Sequence, residues 1–230
     1  KVDKLFGPGN QYVTVAKQLA TKYRVAIDMP AGPSELMIVA DNSANAPFVA
    51  SDLLSQAEHG PDSQVMFVTT DKKMMDEVDQ EVENQISALS RQTTVRMALD
   101  NSKIIFFDSE AEALSFTNYY GAEHLIVCLK NEDKFVNSIK HAGSVFIGNY
   151  TPESAGDYAS GTNHTLPTNG YVRQHSGVNL DSFLKAITYQ KITAQGLQNL
   201  GPVIEEMASA EGLQAHKNAV SIRLKKIQNE

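Results

Sequence analysis

Two histidine-bearing segments carry residue types suited to metal and acid–base chemistry. Ala57-Glu58-His59 closes a stretch with helical spacing, and Gln56 stands three residues before the histidine. That spacing puts both side chains on one helical face near its carboxyl end, where Gly60-Pro61 stops the helix. Imidazole and an amide oxygen can both ligate a divalent ion, although glutamine is an unusual ligand. The competing account is a helix-terminal histidine favoured by the dipole, and spacing alone favours that account, because two potential ligands do not make a site. Ala122-Glu123-His124 opens the apolar run 125–129. Neighbours in a strand point to opposite faces, but at the strand's mouth either can reach a ligand. A buried Glu/His pair suits proton abstraction from an alcohol and activation of water. A polar strand edge is the alternative on local grounds.

Other candidates are scattered. Asp157 and His164 lie in a stretch rich in small residues, which let backbone approach a ligand closely. A solvated loop is the alternative for both, and the better account of His175. Glu211 and His216 flank Gly212, where a histidine beside a flexible glycine could reach a neighbouring subunit. Gly7-Pro8-Gly9-Asn10 opens like a dinucleotide fingerprint but lacks the third glycine. The one cysteine, Cys128, sits inside an apolar strand and reads as a core residue in a protein of the reducing cytoplasm.

These residues need a scaffold. The 230 residues, 42% hydrophobic and 20% charged, suffice for one large or two modest domains. A net charge of -7 argues against non-specific binding to nucleic acid or to an anionic membrane surface. No apolar run is long enough to span a bilayer. Val2 to Phe6 reads as the end of a strand, so the chain is expected to be a fragment.

The pattern predicts a helix over about 10–22, capped by Asn10, and a short strand over 24–27. It then predicts strands at 35–40, 64–70, 103–108, 125–129 and 145–148, alternating with helices at 47–59, 71–89, 109–120 and 131–142. Apolar strands alternating with helices imply an α/β fold with a mostly parallel sheet covered on both faces, and ligands beyond the carboxyl ends of its strands. Residues 151–178 read as one long functional loop. Helices are expected over 181–187, 202–209 and about 213–227.

In order, Phe6-Gly7-Pro8-Gly9-Asn10, the block 28–35, the block 52–64, Gly121-Ala122-Glu123-His124-Leu125, residues 154–167 and 211–216 resemble histidinol dehydrogenase across essentially the whole chain. The resemblance implies a zinc site of Gln56, His59, Asp157 and, from the partner subunit of a homodimer, His216. It implies Glu123 and His124 as the catalytic pair. Ser34, His164 and Glu211 match substrate-binding positions, alongside the zinc ligands and His124, and Asn10 matches a contact to NAD. The family carries about another domain's worth of sequence before Lys1. Residues 1–34 would then end a first, inserted nucleotide-fold-like domain, 35–178 would be half of a second Rossmann-like domain, and 179–230 would be a helical dimerisation tail.

The implied reaction is the four-electron, zinc- and NAD-dependent oxidation of L-histidinol to L-histidine through the aldehyde. His124 would take the alcohol proton and Glu123 would activate water. Three other readings stay open: a same-family dehydrogenase of another small polyol, a non-catalytic metal-binding and dimerisation fragment, and a zinc hydrolase indifferent to NAD.

Overall fold

The computed structural model describes residues 1–7 and 9–229. Pro8, at the centre of the expected Gly7-Pro8-Gly9 turn, and Glu230 lie outside the described residues. The first elements are β1 (Lys4–Leu5), α1 (Gln11–Ala20) and β2 (Ala26–Ile27), the two strands pairing in parallel. Asn10 caps α1, its side-chain oxygen accepting from the N–H groups of Tyr12 and Val13. Lys17 of α1 is buried and pairs with buried Asp28 at 2.5 Å, which fixes the helix against the end of β2.

The main body follows as β3 (Glu35–Ala40), α2 (Ala46–Ala57), β4 (Gln64–Thr69), α3 (Lys72–Ile86), α4 (Gln92–Asp100), β5 (Lys103–Phe106), α5 (Glu110–Tyr120), β6 (His124–Cys128), α6 (Glu132–Val136), β7 (Ser144–Ile147) and α7 (Glu153–Tyr158). Side chains of Asn45, Asp71 and Ser109 cap α2, α3 and α5, which is why those helices start where they do. The five strands pair in parallel in the order β5-β4-β3-β6-β7. Strands β3 and β6 at its centre are buried at every position, as a sheet covered on both faces requires. Alternate residues feed two cores. Leu36, Ile38 and Ile126 pack with Val49, Leu53, Met74, Val78 and Val82, while Met37, Val39, Leu125 and Val127 pack with Ala113 and Phe135.

Residues 1–184 form one compact unit and 185–230 another. In the second, α8 (Ala194–Ala210) and α9 (Gln214–Gln228) pack together, and a Cβ at Gly201 would lie 2.7 Å from the Leu224 side chain. Among the described residues no helix is long and apolar enough to cross a membrane.

The alternation of strands and helices matches the sequence pattern, with local departures. Residues 92–100, unassigned by the pattern, form α4, whose burial rests mainly on Val95 and Ala98. The helix expected over 131–142 stops at Val136, where Asn137 and Ser138 break the apolar spacing. The helix expected over 181–187 is a 3-10 turn, Leu180–Phe183, closed by reciprocal bonds between Asn179 and Ser182. Helix α8 begins at Ala194, capped by Thr193, and runs through Pro202, so it starts eight residues before the helix expected over 202–209.

Candidate active site

The site lies at the amino edge of the five-stranded sheet, not at the carboxyl edge that the parallel pattern predicted. Glu35 and His124 open adjacent strands, with His124 in register beside Leu36. Helix α2 runs back from the carboxyl edge, so its carboxyl end delivers Gln56 and His59 to the same edge. Helix α7 follows β7 and delivers Asp157. The reversal has a physical basis. In every β-α-β unit the helix ends at the amino edge, where the carboxyl ends of α2 and α5 concentrate partial negative charge that favours a cation.

A cavity of about 360 Å³ gathers the predicted residues, lined by Ser34, Gln56, His59, Glu123, His124, Asp157 and His164 together with Gly9, Ala31, Gly32 and Leu166. Asn10, Glu211 and His216 are not among its lining residues. Asn10 is occupied as a helix cap. Glu211 ends α8 and His216 lies in the first turn of α9, both exposed in the second unit.

His124 shares the alternation of Ile126 and Cys128, so its ring points to the face covered by α2. It is buried, and its Nδ1 lies 3.2 Å from the Glu35 carbonyl oxygen. A carbonyl only accepts, so Nδ1 carries the proton and Nε2 is left as the basic nitrogen. Burial lowers the pKa of the imidazole and favours its neutral form, the form a general base needs. Glu123 lies just before the strand. Its Oε2 accepts the Glu35 N–H at 2.9 Å, and burial raises its carboxyl well above the ordinary range. One backbone unit, that of Glu35, thus orients both members of the pair.

Gln56 is buried to 1% exposure, and its Oε1 has no hydrogen-bond partner. A buried amide oxygen left bare is costly unless something binds it. It lines the cavity with His59 and Asp157, one nitrogen and two oxygen donors, a set that suits zinc.

Sequence reasoning missed two residues here. Glu35 is buried and pushed up to about 7 by that burial, while its Oε1 accepts the Asn169 N–H at 2.8 Å. Glu153, one turn before Asp157 on α7, is buried, and its Oε1 also lacks a partner. With His124 and Asp157 it forms a group whose potential ligand atoms lie within 4.8 Å of one another. Burial, then the Asp157 charge, raise the Glu153 carboxyl. Glu35 could have been suspected as a charged residue heading an otherwise apolar strand. Glu153 gave no signal, because α7 has six residues and no apolar periodicity.

A histidinol dehydrogenase family model matches residues 1–224. Histidinol dehydrogenase of Bacteroides thetaiotaomicron is 59% identical over 224 residues, covering 97% of this chain and 52% of that protein. A crystal structure of histidinol dehydrogenase from Elizabethkingia anophelis superposes with a TM-score of 0.97 at 58% identity, over 99% of this chain and 53% of that one. A gamma-glutamyl phosphate reductase from Thermotoga maritima, at 12% identity, 83% of this chain and 53% of its own, and a TM-score of 0.51, shares the fold. The chain spans about half the length of the curated relatives it matches.

Proposed function

The chain belongs to the histidinol dehydrogenase family, and from that premise we propose that it carries the acid–base and metal-binding half of an enzyme oxidising L-histidinol to L-histidine. The observation that supports this most is the convergence, in one cavity, of Gln56, His59 and Asp157 with the Glu123–His124 pair. The bare, buried Gln56 Oε1 and the mixed nitrogen and oxygen donors fit a zinc ion. When bound, zinc would anchor and orient the imidazole and amine of the substrate, and NAD would take the hydrides.

The residues of this chain do the rest. His124, neutral and with Nε2 free, takes the proton of the alcohol. Glu123 takes a proton from the water that adds to the aldehyde. Ser34 and His164 line the wall and hold the substrate. The cavity retains the reactive aldehyde between the two oxidations.

Glu211 and His216 serve the site of the partner subunit in a homodimer, with His216 completing the zinc ligands. Asn10 contacts NAD through the part of its side chain not used in capping. The domain reading follows the same premise, with 1–34 closing an inserted domain, 35–178 forming the host half and 179–230 the dimerising tail. The reducing cytoplasm is the compartment.

The test is made in an active enzyme carrying these residues. Glu123→Gln should spare oxidation of histidinol to the aldehyde and stop oxidation of supplied aldehyde to the acid. Equal loss in both half-reactions would remove Glu123 from the water step.

A further inference from the structure

Two buried side-chain oxygens among the described residues have no hydrogen-bond partner, Gln56 Oε1 and Glu153 Oε1. Gln56 lines the cavity. Glu153 is not among the residues that line that cavity. Its Oε1 is 3.8 Å from His124 Nε2, the nitrogen left basic by the Glu35 carbonyl. On α7 Glu153 and Asp157 are four residues apart and share one face. The other oxygen of Glu153, Oε2, receives the Ser55 hydroxyl at 3.4 Å, and Ser55 is the neighbour of Gln56 on α2. The carboxyl therefore stands between α2, β6 and α7, the three elements that supply the proposed ligands and the base.

We propose that Glu153 is a positioning residue whose carboxyl, held by Ser55, sets the orientation of Asp157 toward a bound divalent metal and that of the neighbouring base, His124. The inference rests on the metal-site reading above. It differs from a fifth-ligand role, because Glu153 is buried and is not among the residues lining the cavity. Carboxylates and imidazoles that bind metal are held by hydrogen-bonding groups behind them, and loss of such a group weakens metal affinity 10–100-fold.

The experiment measures zinc affinity of the chain by competition with a chromophoric chelator, with no turnover involved. Glu153→Met fills the space without polar atoms. Glu153→Gln keeps the shape, an acceptor for Ser55 and a donor toward the facing groups. Unfolding midpoints confirm that each variant is folded. The methionine variant should bind zinc 10–100-fold more weakly, and the glutamine variant within about threefold of the parent, as a geometric role requires. Binding by the methionine variant as tight as that of the parent overturns the proposal. Equal weakening in both variants also overturns it, because the charge would then be acting directly on the metal. A parent chain that takes up no zinc overturns the metal-site reading and the proposal together.

Discussion

Glu35 gives the sharpest thermodynamic test. Its carboxyl is buried at 7% exposure, and burial moves it from 4.5 to about 7. Below pH 4.5 both folded and unfolded chains hold the proton, so the group contributes no pH dependence. Between 4.5 and 7 the unfolded chain has released the proton and the folded chain keeps it. Stability therefore falls as pH rises through that window and levels off above 7. Each pH unit of separation is worth about 1.4 kcal/mol, and 7 − 4.5 = 2.5, so the total is about 3 kcal/mol. Glu35→Gln reproduces the shape of the protonated acid and keeps an oxygen for the Asn169 N–H. Urea unfolding in the presence of a chelator, from pH 4 to 8, should show the two proteins equal at the acid end. The variant should be ahead by about 3 kcal/mol at pH 8. Glu153 adds the same slope to both proteins, whereas Glu123 is held up in part by the Glu35 charge, so the difference reports Glu35 together with its coupling to Glu123. Parallel pH curves would refute the reasoning.

The remaining expectations concern the surroundings of the site. Lys17→Met leaves the buried Asp28 carboxylate, among the described residues, with the Gly7 and Met29 N–H groups as its remaining partners. It should cost about 3–5 kcal/mol by denaturation, with part recovered on adding Asp28→Asn. A loss below about 1 kcal/mol would show the pair to be dispensable. The Cys128 thiol is pushed up to about 12 by burial, so native protein should resist a thiol-reactive disulfide at pH 8 while denatured protein reacts at once. Gly156→Ala places a Cβ 2.7 Å from the Phe146 ring. That should displace α7, cost about 1–3 kcal/mol and weaken zinc binding with it. Unchanged affinity would mean that α7 tolerates the shift without moving Asp157.

The strands were legible because each central one is a short apolar run between turn signals, as in 35–40 and 125–129. Helices with strong caps and wide apolar faces, such as α3 with Met74, Val78, Val82 and Ile86, were equally plain. What escaped had little apolar face to show. Helix α4 buries Val95 and Ala98 alone, and α7 gains its place from the close approach of Gly156 to Phe146. The edge of the sheet was misread for a different reason. Local patterns report which residues are buried, but not whether chemistry will be carried by strand ends or by helix ends. Gln56, His59, Asp157, Glu123 and His124, the residues singled out through the resemblance, line one cavity. The resemblance gave no role to Glu153, or to Glu35, whose backbone binds both Glu123 and His124.

Delivery of the site by helix carboxyl ends has a consequence for tolerance to insertion and deletion. One residue inserted within α2 rotates everything after it by about 100°, turning Gln56 and His59 away from the cavity. One residue inserted at 41–44, before the Asn45 cap, lengthens a turn on the opposite edge and leaves the helix phase intact. The same holds for 129–131 relative to β6. Length variation in this chain should accumulate at the carboxyl edge of the sheet, where the turns can change without moving a reacting atom.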